Sequence, residues 1–402
     1  MKRRSFIQGT VGSALTAVFA RSSEVLACGL GEHHLTGDDY LALPDGFRVQ
    51  VISRVGEVMS DGIRTPPRPD GMACFADGPD HIILMRNHEN YPDQNPSECG
   101  GVSRIRLRSA DLKKVSDNLV LTGTSRNCAG GISPWGWMTC EEDTDPGHGY
   151  VYLCDPKKEE LADPVRISGY GRFNHEAATV HPVSNIAWLT EDRGDGCFYR
   201  FVPKNPDQNP FVGELQALRV KGTENFNTSK NLARGDTVAV DWVATGPDSA
   251  EKDILRYQAQ EKGAASFSRG EGLWLHDDMV YFSCTSGGPV GKGQIFALWS
   301  ENGQEYLKVL SDAKSVDEMD MPDNITVSPS GIVYMAEDGR GSQYIRVIKP
   351  DGETKVFAKN VISKSEIAGI CFDPSEQTMF LNIQEDGLTL AVRGPFKQFS
   401  MS

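Results

Sequence analysis

Apolar positions along this chain fall in short runs, many alternating with polar residues, and the runs are separated by glycine, proline, asparagine and aspartate. That punctuation predicts many short strands joined by turns. No stretch after residue 40 carries the periodicity of a long helix. One two-strand pattern recurs: a small or acidic residue with glycine leads into an apolar strand, a turn follows, and a second apolar strand ends in acids or amides. It occupies 69–75 with 82–89, 175–180 with 186–193, 270–275 with 279–284, 322–327 with 332–338, and 367–372 with 378–382. The stretch RNCAGGISPWGWMTCEE, 126–142, is a variant copy. About six units at a spacing of roughly 45 to 60 residues predict an all-β fold, a β-propeller with six blades. The long gap before 270 predicts an insertion between blades near 205–265, with a short helix around 250–262.

A propeller brings the innermost strand of every blade to one central channel, so a residue type that recurs at one place in each unit becomes a ring. Here the recurring type is carboxylate or amide: Glu89, Glu141 or Glu142, Glu176, Asp192, Glu271, Asp323 or Asn324, and Glu337 or Asp338. So many like charges around a narrow channel repel one another strongly, and the set predicts bound cations. Oxygen donors select hard ions, calcium foremost. Cys128 fits calcium poorly. It reads either as the thiolate of a site for iron or another transition metal, or as a buried thiol or disulfide partner of Cys140 or Cys154. His88 and His175 each precede a glutamate and are candidates to orient it. The histidines show no zinc spacing, and no nucleophile elbow, P-loop or dinucleotide fingerprint is present.

The first residues, Met1-Lys2-Arg3-Arg4-Ser5-Phe6-Ile7, followed by a small and apolar run, have the layout of an export signal of twin-arginine type. The expected organisation is a signal at 1–27, cleaved after Ala20 or Ala27, and one propeller catalytic domain at 28–402. Cleavage before Cys28 would allow its acylation. The apolar run is too short to span a bilayer, so the mature chain is expected to have no transmembrane span. A net charge of −14 with no basic stripe disfavours nucleic acid as a partner. The same charge would repel a phosphate substrate unless bound cations inverted the local field.

With these residues in view, the chain resembles the PhoX-type alkaline phosphatases. The resemblance rests on RRSF, PDGMACF, RNHEN, NCAGGISPWGWMTCEE, GRFNHEAATV, TEDRGDGCFYRFVP, RGEGLW and PDNITVSPSGIVYMAEDG. It implies a periplasmic or extracellular monomer, exported by the twin-arginine machinery, that hydrolyses small phosphate monoesters at ferric (Fe3+) and calcium (Ca2+) ions in the channel. Carried over by motif, Cys128 is the iron thiolate, and Glu142 or its neighbour Glu141 joins Glu176 and Glu271 as carboxylate ligands. Asp192, Asp323 and Glu337 are candidates for calcium or supporting roles. Arg269 binds phosphoryl oxygens, with Arg193 completing the clamp. The competing readings from the residues alone are a calcium propeller hydrolase acting on lactones or phosphotriesters, and a non-catalytic propeller with structural calcium.

Overall fold

The computed structural model describes residues 35–399 apart from 38 and 250. The expected export signal, both cleavage points and Cys28 lie outside the described residues. Alternation of apolar and polar positions yields four-stranded antiparallel meanders, here numbered blades 1 to 6 by their innermost strands: Pro69–Asp77, Gly131–Ser133, His175–Val180, Gly270–His276, Pro322–Val327 and Ile367–Phe372. Each innermost strand packs beside the next, and that of blade 6 packs against that of blade 1, which closes the ring. The last blade is completed from the other end of the chain. Arg48–Arg54 pairs with Leu388–Arg393, with Leu390 opposite Val51.

The core follows from the period of two. Successive residues of a strand face opposite sides of their blade, so each blade has two apolar faces. In His81–His88 of blade 1, Ile82 and Leu84 pack toward blade 6 with Phe380 and Ala391. Ile83 and Met85 pack toward blade 2 with Trp137 and Tyr152. The six apolar clusters match the six interfaces between neighbouring blades. Between blades 3 and 4 the filling is aromatic, with Phe198 and Phe282 stacked at 4.1 Å between ring centroids.

The expected insertion lies between blades 3 and 4. Its opening residues are an ordinary outer strand, because Asn209–Val220 alternates and pairs along Phe198–Asn205. The irregular part follows, carrying the short helices Thr228–Asn231 and Leu255–Gln260. The strand between them, Thr237–Ala244, pairs with the outer strands of both blades and fuses them into one nine-stranded sheet. Among the described residues no helix is long and apolar enough to cross a membrane.

Near the axis the innermost strands approach so closely that only glycine fits. A Cβ built on Gly131 would lie 1.7 Å from the carbonyl oxygen of Ala178, and one on Gly71 would lie 1.8 Å from that of Ala129. Both obstacles are backbone and cannot swing away. Gly131→Ala should therefore lower stability by about 1–3 kcal/mol, read as a lower urea midpoint; an unchanged midpoint would show that the strands can separate freely.

Candidate functional site

The same slip in strand pairing recurs in all six blades, near the start of the innermost strand. Register shifts between Pro69 and Met72, His175 and Ala178, Gly270 and Leu273, Pro322 and Asn324, and Ala368 and Cys371. In blade 2 it shifts between the Asn127–Glu141 bridge and the Gly131–Met138 pair. A bulge leaves its extra residue unpaired and re-aims the side chain. The bulge positions hold Asp70, Cys128, Glu176, Glu271, Asp323 and, in blade 6, Gly369.

A second row stands just beyond each second strand, by one residue or, in blade 2, by two: Glu89, Glu142, Asp192, Thr285, Asp338 and Gln384. Each is fixed by its backbone N–H, which donates to the carbonyl of a residue just before the innermost strand. The pairs are Glu89 to Arg68 at 2.9 Å, Glu142 to Arg126 at 3.0 Å, Asp192 to Asn174 at 3.1 Å, Thr285 to Arg269 at 2.9 Å, Asp338 to Met321 at 2.9 Å, and Gln384 to Glu366 at 3.3 Å. Those six acceptors make a third row. Four of them, Arg68, Arg126, Arg269 and Met321, hold the left-handed backbone at φ 48°, 44°, 57° and 60°. That conformation costs a side-chain-bearing residue about 1–2 kcal/mol and persists where surrounding structure enforces it.

Together the rows gather Asp70, Glu89, Glu142, Glu176, Asp192, Glu271, Asp323, Asp338 and Glu366 against three arginines, Arg68, Arg126 and Arg269. Burial, and then the neighbouring acids, push Asp70, Glu176, Glu271 and Glu366 well above the usual carboxylate range. Glu142 is pushed up to about 8, by burial first, with the Arg126 guanidinium pulling the other way. Asp323 is pushed up to about 7, by burial and then by Asp338. Arg269 grips Asp192 through Nε and Nη2 at 2.8 and 2.9 Å and reaches Glu271 at 2.9 Å. Arg126 holds Glu89 at 2.8 Å and also bonds Glu142. Gln384 donates to Asp70 at 2.8 Å and to Glu89 at 2.9 Å.

This donor set fits metal cations. Carboxylate oxygens of Asp70, Glu89 and Glu366 lie within 4.8 Å of one another, an all-oxygen group suited to a hard ion. Cys128 brings sulfur to the neighbouring sector, with Sγ 3.2 Å from the carbonyl of His175 and 3.3 Å from that of Glu176. Burial and then Glu176 push its thiol up. All eight described cysteines are free, so Cys128 is not a disulfide partner of Cys140 or Cys154.

Of the residues expected from sequence, Cys128, Glu142, Glu176, Glu271, Asp192, Asp323 and Arg269 come together in the channel. Three others are occupied elsewhere. Both oxygens of Glu141 are used, by the N–H groups of Ser125 at 3.0 Å, Gly149 at 2.9 Å and Tyr150 at 3.2 Å and by His148 Nδ1 at 2.9 Å. Between the adjacent glutamates, then, Glu142 faces the channel. Glu337 is held by Arg346 at 2.5 Å and by the Asp320 N–H at 3.0 Å, and Asp338 stands in the ring. Arg193 is tied at the rim to Asp253 at 3.1 Å and Thr144 at 3.0 Å. The histidines orient no ring acid directly: His88 bonds Pro67 and Ser103, and His175 stacks on Phe173 at 3.6 Å. Asp70 and Glu366 are additions. Asp70 was findable, since Pro69-Asp70-Gly71 repeats as Pro322-Asp323-Asn324. Glu366 was not, because other blades hold arginine, asparagine or methionine in its slot.

A family model for alkaline phosphatase PhoX matches residues 29–105 and 100–387 of the chain. The fold is similar to the solved structure of Pseudomonas fluorescens PhoX in complex with vanadate, a transition state analogue. That match has a TM-score of 0.74 at 18% identity and covers 91% of this chain and 98% of that one. The calcium-binding protein regucalcin of Agrobacterium tumefaciens aligns at a TM-score of 0.43 and 12% identity, over 87% and 96% of the two chains. No curated protein matches the sequence.

The raised acids set a pH dependence for the metal-free protein. Their folded values of about 8 for Glu142 and about 7 for Asp323 lie above the ordinary 4.5 and 3.8. Stability from these groups is present below the ordinary values and is lost as pH rises through the folded ones. The melting temperature of chelator-stripped protein should therefore fall between about pH 4 and pH 8, and added metal cations should restore it at the upper end. A flat profile would mean that the ring is solvated.

Proposed function

Because the chain belongs to the alkaline phosphatase PhoX family and is a metal-dependent phosphatase, we propose that it cleaves small phosphate monoesters at a centre of ferric and calcium ions in the upper channel. The observation that carries this reading is the convergence of one thiol with a crowd of carboxylates at recurrent strand bulges. Cys128, Glu142, Glu176 and Glu271 would hold the iron, a soft donor among hard ones. Asp70, Glu89 and Glu366 would hold calcium, with Asp323 and Asp338 beside them. Cations bound there supply Lewis-acid charge at the phosphoryl group and activate water.

The protein's own part is positioning. Phosphoryl transfer needs little covalent help and much charge and alignment. Arg269, oriented by its two bonds to Asp192, would present its free Nη1 to phosphoryl oxygens. Glu141 and Glu337 hold the loops that carry Glu142 and Asp338, and so fix the ring without joining it. Arg3-Arg4 and the small, apolar run after them support twin-arginine export of a monomer to the periplasm or beyond, a route that delivers folded, cofactor-loaded proteins. Acylation at Cys28 would tether it.

Cys128→Ser should abolish visible thiolate-to-iron absorption, release iron by elemental analysis, and cut phosphomonoester hydrolysis by about 100-fold or more. A colourless, iron-free wild-type protein with full phosphatase activity would remove iron from this reading. Chelation should abolish activity, and Glu271→Gln should lower kcat while leaving the fold intact by circular dichroism.

A further inference from the structure

We propose that Arg126 is a second substrate-binding residue, forming with Arg269 a two-guanidinium clamp for the phosphoryl oxygens that Asn174 braces between them; this rests on the phosphatase reading above. The third row is chemically lopsided. Blades 2, 3 and 4 place Arg126, Asn174 and Arg269 there in succession and blades 5 and 6 place Met321 and Glu366, while Arg68 of blade 1 is drawn to Glu89 and Glu385. The donors are joined into one network. Asn174 donates to Glu142 at 3.0 Å, the same carboxylate that Arg126 bonds, and to the carbonyl of Asp192 at 3.0 Å, whose carboxylate Arg269 grips.

The arginines also keep donors in reserve. A guanidinium carries five N–H donors. Arg126 uses Nε on Glu89, Nη2 on Glu89 and Glu142, and one Nη1 proton on the carbonyl of Glu142. Arg269 uses Nε and Nη2 alone, leaving Nη1 free of hydrogen bonds. Their side chains are 30% and 35% exposed, while those of the acids they hold, Glu89, Glu142, Asp192 and Glu271, are 3% to 13% exposed. Each guanidinium thus lies on the open side of its carboxylates. Both residues keep a strained left-handed backbone, which tends to persist at functional positions. Asp70, Glu89 and Glu366, the group suited to a cation, adjoin Arg126 through Glu89. A phosphate dianion would sit between cations held there and the free Nη1 donors of Arg126 and Arg269, which would reach two of its oxygens.

The test uses the metal-loaded full chain and compares wild type with Arg126→Met and Arg126→Lys. The measurements are the inhibition constant of inorganic phosphate, KM and kcat for an aryl phosphomonoester, and metal content. Arg126→Met should raise the inhibition constant and KM by about tenfold at full metal content, and Arg126→Lys should recover only part of the loss. If Arg126→Met does not fold or loses metal, Arg126→Lys decides alone. It keeps the charge beside Glu89 and Glu142 but not the fork, and a rise of at least about threefold supports the clamp. Wild-type phosphate inhibition in a metal-replete variant overturns it and leaves Arg126 as a counter-charge only. A wild-type enzyme that releases no phosphate would instead sink the phosphatase reading, and phosphate binding by calorimetry would still decide the role of Arg126.

Discussion

Mutual repulsion among nine carboxylates, five buried and four half-buried, is the constraint on which the rest of the structure depends. Three arginines and a few amides offset part of it, and burial first, then the neighbouring acids, raise Asp70, Glu142, Glu176, Glu271 and Glu366 above the usual carboxylate range. A flexible framework would relieve the strain by spreading. This one cannot, because each acid-bearing strand is locked between two apolar interfaces and the ring is closed by a strand from the opposite end of the chain. Stability built into the blades is thereby converted into electrostatic tension at the axis, and cations relieve it. Binding sites of this kind are stabilised by their ligand by mass action, since the unfolded chain has no comparable site.

The division of labour within each pair of adjacent acids follows from strand geometry. Consecutive residues point to opposite sides, so of Glu141–Glu142, Glu191–Asp192 and Glu337–Asp338 only the second member of each can face the channel. The first turns back into the blade and organises its loop. Glu191 repeats the behaviour of Glu141 and Glu337. It accepts from the Cys197 N–H and the Tyr199 hydroxyl, both at 2.9 Å, and pairs with Arg256 at 3.3 Å. Glu141 and Glu191, with both oxygens engaged inside the blade, are poor metal ligands, whatever their place in a motif.

How much of this was legible in the sequence depends on the scale. Blade number followed from the repeat, because every unit carries the same strand pair at the same spacing. The position of the insertion followed from where the repeat fails, but its first residues, 209–220, continue the alternation and are outer strand. Within the site, acids sharing one motif position, such as Glu176, Glu271 and Asp323, could be aligned by eye. Which of two adjacent glutamates faces inward could not, since that needs the register of a bulge, and register is a pairing property absent from a single strand. Arg68, Arg126 and Glu366 were hidden for another reason. They share one structural slot while differing in charge, so no residue-type repeat marks it.

The lower half of the channel explains why the charge is confined to one end. Immediately after the bulge, the innermost strands turn apolar or small: Gly71 and Met72 follow Asp70, Ala129 follows Cys128, and Asn324 and Ile325 follow Asp323. They line a cavity of about 460 Å³ with Leu273, Trp274 and Ile370, directly beneath the acids. The largely apolar walls there lower the local dielectric, which strengthens the charge interactions above them. At the acid end the guanidiniums of Arg126 and Arg269 are partly exposed, more so than the carboxylates they hold. The six bulges sit at the boundary between these halves. By adding one residue to each inner strand, they turn a channel that alternation alone would line evenly into one with a charged mouth and an apolar floor.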